Sequence, residues 1–280
     1  MHMKGIVQYF NERFPITLAL FLAAGYATYM VGIWNRIGGQ IDNAIAAILL
    51  VGLSFVFLLL RQRVLDEFKD YKHDSNNYSN RPLQRGLVTK RQLVVIGVLA
   101  FAGEIITILL ISPQALIYYT PVLIFSFLMA KEFYIGRWLK AHQTIYFLSH
   151  QSVYILLALW ASLTFKVSFS FYAVLASIAI VCIMAGAEIV RKYEVRKNTK
   201  GKTVNDTYIT MWGVTTARTA LEFMIVIPGL IIAVIMHNIT PCIVALIGVI
   251  AIEISSHHQT RVKLIAGLVF IVQAILVVML

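Results

Sequence analysis

The sequence predicts an all-α protein that crosses a membrane many times. Of its 280 residues, 59% are hydrophobic and only 13% are charged, and the mean hydropathy is +0.79. A soluble domain carries about a quarter of its residues as charges, so this composition indicates an integral membrane protein. The apolar residues form long runs without the alternation of barrel strands, which indicates membrane helices.

Nine apolar runs have about the length that a helix needs to cross a bilayer, roughly 20 residues. They cover residues 16–34, 41–60, 93–111, 115–130, 144–165, 169–190, 214–236, 240–254 and 262–280. The fourth and eighth runs are shorter than the others. Because no soluble stretch separates the runs, residues 1–280 are predicted to form a single transmembrane domain of nine membrane-spanning helices.

The distribution of basic residues predicts the orientation of the chain. Twenty-one of the 24 Lys and Arg residues lie in the N-terminus and in, or within two residues of, the loops after the second, fourth, sixth and eighth runs, and the alternate loops hold two. Basic loops stay in the cytoplasm, so the N-terminus is predicted to be cytoplasmic. This topology explains the net charge of +11. The sequence indicates no nucleic-acid partner and no obligate protein partner.

Four carboxylates gather where the second run ends, within "DEFKDYKHD". Nothing between residues 61 and 73 interrupts a helix, so Asp66, Asp70 and Asp74 are predicted to share one helical stripe, with Glu67 beside them. A solvated acidic face is one interpretation. A bound Mg²⁺ explains the crowding better, because this cation takes carboxylate oxygens and completes its shell with water and substrate phosphates.

Two arginines follow in the loop "NRPLQRG". Arg81 and Arg85 carry planar guanidinium groups that suit phosphate oxygens. Pro82 and Gly86 favour an ordered turn. The bias of cytoplasmic loops towards positive charge is the alternative explanation for both arginines.

A second polar stretch begins where the sixth run ends. Glu188 precedes Arg191 and Lys192 by three and four residues, so the three share one helical face, and a plain ion pair there would be worth about 0.2–0.5 kcal/mol. After "NTKGKT", Asp206 and Tyr208 precede the next run. Asp206 could also be the N-cap of that helix.

Five polar residues fall inside the apolar runs: Glu104, His150, Gln151, Arg218 and Glu222. Ionisable residues within a membrane are costly and usually face a cavity or a partner. Arg218 and Glu222, four residues apart, could pair with each other, whereas Glu104 has no partner along its own run. His150 and Gln151 could bind substrate or a neighbouring helix.

These motifs resemble those of the UbiA superfamily of intramembrane prenyltransferases, whose members have nine transmembrane helices and acidic motifs at the cytoplasmic ends of the second and sixth. The first family motif is usually NDxxDxxxD, followed by a loop containing RP. Here "DEFKDYKHD" and "NRPLQRG" match it, with Asp66 in place of Asn and Glu67 in place of Asp. In the second motif Glu188 takes the first acidic place and Lys192 the second, which is similar to a divergent branch with an E-x-x-R-K signature.

The resemblance implies Mg²⁺-dependent transfer of a prenyl group from an allylic isoprenyl diphosphate to a lipophilic acceptor, in a bacterial cytoplasmic membrane with the active site facing the cytoplasm. The implied metal ligands are Asp66, Glu67, Asp70, Asp74, Glu188 and Asp206. The implied catalytic cations are Arg81, Arg85, Arg191 and Lys192. The predicted substrate-binding residues are Glu104, His150, Gln151, Tyr208 and Arg218.

Two other functions are compatible with parts of the sequence. A transporter could use Glu104, Arg218 and Glu222 as an ion or substrate path, but paired broken helices in two related halves, common in transporters, are not evident. A CDP-alcohol phosphotransferase also places spaced aspartates near a membrane surface. That family's DGxxAR element is missing, and nine runs are too many.

Overall fold

The computed structural model describes residues 2–280, with only the backbone described for His2 and Met3. The described chain is mainly helical, and its only β-type pairing is an isolated antiparallel bridge between Lys197 and Thr203. The all-α prediction is therefore confirmed.

Fourteen α-helices and one short 3-10 helix make up the described chain. They are α1 (His2–Arg13), α2 (Ile16–Arg36), α3 (Ala44–Lys69), α4 (Tyr71–Asn77), α5 (Lys90–Ile111), α6 (Pro113–Ala130), the 3-10 helix (Glu132–Tyr134), α7 (Gly136–Ala141), α8 (Gln143–Gln151), α9 (Val153–Thr164), α10 (Phe171–Arg191), α11 (Tyr208–Trp212), α12 (Val214–Met236), α13 (Thr240–Ile254) and α14 (Gln259–Met279).

Eight of the predicted runs become helical segments long and apolar enough to cross a membrane. One of them, Gln143–Thr164, contains both α8 and α9, which meet at Ser152. The remaining run forms α13, which has 15 residues. The structure thus confirms a polytopic membrane protein, whereas a count of nine crossing helices and the orientation of the N-terminus remain predictions.

The long helices form a closed ring. In the order α2, α3, α5, α6, α9, α10, α12, α13 and α14, each packs against the next, and α14 returns to α2. Close approach is helped by small residues, as membrane helix packing requires: Gly52 lies against Ala27, and Gly32 lies against Val277 and Val278.

A smaller hydrophobic cluster lies at the end of the ring where α3 and α10 finish, which we call the polar end. Tyr9 of α1 is fully buried there with Val64, Leu83, Val88 and Leu93. This cluster fixes α1 and the 78–89 turn against α3 and α5, and so places both beside the first acidic stretch.

The second run does not continue as one uninterrupted helix, so that prediction is wrong. Helix α3 ends at Lys69, Asp70 has φ −93° and ψ 6°, and α4 starts at Tyr71. The amide of Asp70 still donates to Asp66 O, and that of Asp74 to Asp70 O, both at 2.8 Å. The three aspartates therefore remain on successive turns despite the break.

Candidate active site

The two polar stretches are joined at the polar end. Tyr78 Oη donates to Asp206 Oδ2 at 2.7 Å, and His73 Nε2 lies 3.8 Å from the same oxygen. The amide of Thr199 donates to the carbonyl of Asn77 at 3.0 Å. The loop after α3 and the loop after α10, separated by more than a hundred residues, thus form one surface.

This junction favours the charged forms of Asp206 and His73. Burial opposes ionisation of Asp206, but the nearby His73 imidazole and the hydrogen bond from Tyr78 outweigh it and lower the pKa of this carboxyl. Contact with the Asp206 carboxylate in turn raises the pKa of His73. Asp206 does not cap α11, since the residue before that helix is Thr207.

Asp70 lies between two other acids, in an unfavourable environment for a carboxylate. Burial raises its pKa, and Asp66 and Asp74 add to the rise against the opposing charge of Lys69. Lys69 Nζ is itself 2.8 Å from Asp66 Oδ1. Negative charge at Asp70 is therefore only partly neutralised by the chain.

Asp74 is buried and lies between two guanidinium groups. It forms an ion pair with Arg81 and lies 3.6 Å from Arg13 Nη2. The Arg81 guanidinium also lies 4.0 Å from the centre of the Tyr78 ring, an arrangement that favours a cation. The structure thus places Arg81 beside the acidic stretch, as predicted.

Glu67 and Arg85 both turn towards α1. Glu67 Oε1 accepts a 2.7 Å hydrogen bond from Arg13 Nε, and Arg85 forms an ion pair with Glu12. With 36% of its side chain exposed, Arg85 contacts α1 rather than the acidic stretch. Its predicted place beside the diphosphate is not supported by this geometry.

The second motif forms a compact ion cluster. Glu188 accepts two 2.7 Å hydrogen bonds from Arg191 and lies 3.4 Å from Lys192 Nζ. Tyr208 Oη donates to Glu188 at 3.3 Å. The intrahelical ion pair considered from the sequence is thus present, with Tyr208 as an additional partner.

Lys192 links the second motif to the first. Burial lowers the pKa of Lys192, as does Arg191, whereas the carboxylates of Glu188 and Asp66 raise it. Asp66 is thus near enough to act on a lysine at the end of α10. The Lys192 ammonium also lies 5.5 Å from the centre of the Tyr208 ring.

Aromatic side chains lie next to these charges. The rings of Phe147, Tyr208 and Trp212 contact one another, with centres 4.6 to 5.3 Å apart. Phe147 belongs to α8 and the other two to α11. Such a cluster is a suitable wall for an apolar group attached to a charged one.

His150 and Gln151 lie on α8 with polar atoms that lack partners in the described chain. The His150 ring stacks on Tyr146 with centres 4.1 Å apart, and its Nδ1 lies 2.8 Å from Tyr146 O. His150 Nε2 and Gln151 Oε1 are buried without a hydrogen-bond partner there. Free buried polar atoms of this kind are consistent with the predicted substrate contacts.

A left-handed corner between α6 and α7 supports this region. Glu132, Phe133 and Tyr134 have φ values of 49°, 52° and 60°. Glu132 is 2.9 Å from Lys140, and the Phe133 ring contacts that of His150 with centres 5.9 Å apart. Phe133 of this corner therefore packs against the His150 ring.

Glu104, which has no partner along its own run, finds its partners on two other helices. It is fully buried and accepts hydrogen bonds of 2.6 and 2.9 Å from Arg61 and of 2.7 Å from Tyr119. Arg61 also donates to Ser126 at 3.0 Å. These contacts join α3, α5 and α6, so Glu104 stabilises the helix bundle, and its expected role towards substrate finds no support here.

Arg218 also forms ion pairs with acids. It lies near the start of α12, 3.6 Å from Glu222 on the same helix and 3.2 Å from Glu253 on α13. The intrahelical pair expected as an alternative is confirmed, and Glu253 extends it to a second helix. Arg218 therefore connects two helices at the polar end.

The acidic residues suit Mg²⁺ by their chemistry, although the described chain shows no group of three or more His, Cys, Asp or Glu side chains converging as metal ligands. Glu67 Oε2 and Asp206 Oδ1 are buried oxygens without a hydrogen-bond partner in the described residues. Hard carboxylate oxygens beside a partly neutralised Asp70 are what Mg²⁺ prefers. The donors that could hold it are Asp66, Glu67, Asp70 and Asp74.

Sequence reasoning missed two arginines that pair with buried acids. Arg13 and Arg61 were counted only as basic residues of cytoplasmic segments, but they bind Glu67 and Glu104. Both partners are distant along the chain, so no local spacing reveals them. For Arg61 the available signal was an unpaired acid inside an apolar run, which requires a partner on another helix.

Comparisons with known proteins agree with this architecture. The UbiA prenyltransferase family model matches residues 25–264. The fold is similar to an apo UbiA homologue from Aeropyrum pernix K1, with a TM-score of 0.62 and 15% identity, covering 94% of this chain and 96% of that one. A digeranylgeranylglyceryl phosphate synthase structure is also similar, with a TM-score of 0.56 and 17% identity, covering 99% of this chain and 100% of that one. A search of curated protein sequences gives no match.

Proposed function

Because the chain belongs to the UbiA prenyltransferase family, we propose that it transfers a prenyl group from an allylic isoprenyl diphosphate to a lipophilic acceptor, with Mg²⁺ as cofactor. The observation that carries the proposal is the meeting of the two polar stretches at one end of the helix ring. Acids from α3 and α4 and cations from α10 lie together there, at the mouth of an apolar bundle.

The cations of the site supply the binding groups for a diphosphate. Arg81 offers a planar fork for phosphate oxygens, and its present partner Asp74 is one of the proposed metal ligands. Lys192 and Arg191 hold positive charge on the opposite side, at the end of α10. Neutralising the leaving diphosphate in a water-poor site is the main assistance that such residues give to ionisation of an allylic substrate.

Bound Mg²⁺ would supply further electrophilic assistance to the leaving group. Asp66, Asp70 and Asp74 would hold it from three successive turns, with Glu67 alongside. On the second motif, Lys192 stands where relatives carry an acid, so we propose that its ammonium contacts a diphosphate oxygen directly. Glu188 then orients Lys192 and Arg191.

The apolar parts of both substrates would lie on the aromatic wall and between the helices. Phe147, Tyr208 and Trp212 provide a surface beside the charged groups. His150 and Gln151 offer unpartnered polar atoms near that wall, where a polar group of the acceptor could bind. We propose that this site faces the cytoplasm of a bacterial cell, because the basic loops surround it.

Product formation tests the proposal directly. Purified protein in nanodiscs is incubated with Mg²⁺ and allylic diphosphates of several lengths, including a geranylgeranyl donor suggested by the name of the similar synthase. Lipids co-purified with the protein serve as acceptors, and mass spectrometry detects prenylated products. The matched variant Asp70→Asn should yield none.

A covalent prenyl product in the wild type, lost in Asp70→Asn, would support the function. Vectorial uptake of a solute into liposomes, with no prenylated product from any donor, would instead favour a transporter. The structure gives the transporter no specific support, because Glu104, Arg218 and Glu222 are all paired.

A further inference from the structure

Helix α1 contacts the first acidic stretch through Arg13. Arg13 Nε donates to Glu67 Oε1 at 2.7 Å, and Nη2 of the same side chain lies 3.6 Å from Asp74 Oδ2. The side chains of Glu67 and Asp74 are 1% and 3% exposed. One guanidinium therefore bridges two buried acids from the set that is proposed to hold Mg²⁺.

The position of Arg13 is fixed by the packing of α1. Tyr9 is fully buried against the 78–89 turn and the ends of α3 and α5. Glu12 binds Arg85 from the same turn. Gly5 lies so close to the carbonyl group of Leu87 that a Cβ at this position would overlap it. Three separate contacts along one helix thus place the Arg13 guanidinium at the acids.

We propose that Arg13 is a positioning residue, which orients Glu67 and Asp74 for the Mg²⁺–diphosphate complex. The inference rests on the proposed function. Glu67 Oε2 has no hydrogen-bond partner among the described residues, so Arg13 holds one oxygen and leaves the other for a cation. Helix α1 lies ahead of the region 25–264 matched by the family model, so this role is an addition to the two acidic motifs.

Arg13 can act on metal binding in two opposite ways. Its positive charge beside two ligands weakens the attraction for a cation, whereas its hydrogen bond to Glu67 and its ion pair with Asp74 hold the ligands in place. Partners that orient ligating groups are typically worth about 10–100-fold in metal affinity. Arg13→Lys separates the effects, because lysine keeps the charge but lacks the planar fork that reaches both acids.

The test measures Mg²⁺ binding directly on the full chain in detergent. The thermal unfolding temperature is recorded across a Mg²⁺ series at fixed inorganic pyrophosphate, for the wild type, Arg13→Lys, Arg13→Met and Lys4→Met. Lys4 is an exposed residue of α1, so its replacement removes a charge from the same helix without touching the acids. The quantity compared is the Mg²⁺ concentration that gives half of the maximal stabilisation.

Orientation by Arg13 predicts that Arg13→Lys and Arg13→Met both raise this concentration about 10–100-fold, while Lys4→Met leaves it unchanged. Diphosphate release from a geranylgeranyl donor should then recover in Arg13→Lys when Mg²⁺ is saturating. An unchanged concentration in Arg13→Lys, or a lowered one in Arg13→Met, would overturn the inference. If Mg²⁺ and pyrophosphate fail to stabilise even the wild type, the proposed function fails instead.

Discussion

Removal of the Glu104 carboxylate should destabilise the protein strongly, because it leaves the Arg61 guanidinium buried without a counter-charge. Arg61 is 3% exposed and Glu104 is fully buried. Truncating one partner of a buried ion pair costs about 3–5 kcal/mol, and an unpaired Arg at the centre of a membrane helix costs about 2.5–3.5 kcal/mol on insertion scales. We therefore expect Glu104→Ala to lower the free energy of unfolding by about 3 kcal/mol, where the two ranges overlap.

Other substitutions in the same hydrogen-bond network should reduce stability less than Glu104→Ala. Tyr119 donates one hydrogen bond to the carboxylate at 2.7 Å, and a hydrogen bond to a charged group contributes about 1.5–3 kcal/mol in water-soluble proteins. Double-mutant cycles between membrane helices average only about 0.6 kcal/mol, so Tyr119→Phe should lose about 1 kcal/mol. Replacing both charged partners, in Arg61→Met/Glu104→Met, should be nearly neutral, because buried pairs can be exchanged for apolar side chains.

The assay is reversible unfolding in mixed micelles, with the free energy of unfolding compared among the four proteins. A Glu104→Ala variant as stable as the wild type would refute the buried-pair reasoning. Prenyl transfer by the double variant gives a second, independent result. If that variant folds with wild-type stability but makes no product, then Glu104 or its partner Arg61 acts on the substrate, as the sequence suggested for Glu104.

Three further predictions concern the polar end. Asp70→Asn should abolish turnover and should no longer show the rise in unfolding temperature that Mg²⁺ and pyrophosphate cause in the wild type. Without ligand it should be at least as stable as the wild type, because repulsion among the acids falls. A ligand-induced rise equal to that of the wild type would exclude Asp70 from the metal site. Lys192→Ala should be inactive at all Mg²⁺ concentrations, whereas Lys192→Asp should regain activity as the Mg²⁺ concentration rises. Wild-type rates in Lys192→Ala would show that Lys192 serves only as one of the basic residues that orient the chain in the membrane. Contact with the Asp206 carboxylate raises the pKa of His73, so this ion pair should be fully present below pH of about 6.5 and weaken as pH rises through the raised value. Exchange protection factors of residues 203–207, which are corrected for the intrinsic acceleration of exchange with pH, should then fall, and His73→Gln should remove that fall.

The bundle was predictable because apolar length and composition decide where a chain crosses a membrane. The predicted run 214–236 agrees with α12 at both ends, and 240–254 agrees with α13. The break at Asp70 was not predictable from local propensity, since no Pro or Gly marks it. It lies where α3 leaves the apolar part of the bundle and crowded acids begin, so charge repulsion and tertiary contacts decide it.

The candidate site was predictable only to the level of residue types near each helix end. Glu188, Arg191 and Lys192 lie within one helical turn, and local spacing sufficed to expect their pairing. Glu67 and Glu104, by contrast, are held by arginines 54 and 43 residues away. Such distant partners depend on which helices become neighbours, and a single sequence does not specify that.

The left-handed corner has a consequence for efforts to make this protein more robust. Tyr134 is 79% exposed with φ 60°, so glycine there would relieve backbone strain of about 1–2 kcal/mol. About half of the gain is offset, because glycine gives the unfolded chain about 0.5–1 kcal/mol of additional freedom. At Phe133 the same exchange would also delete the ring that rests on Phe125 and His150. Engineering that regularises this corner would therefore gain about 1 kcal/mol of stability at Tyr134, and at Phe133 it would remove packing against His150.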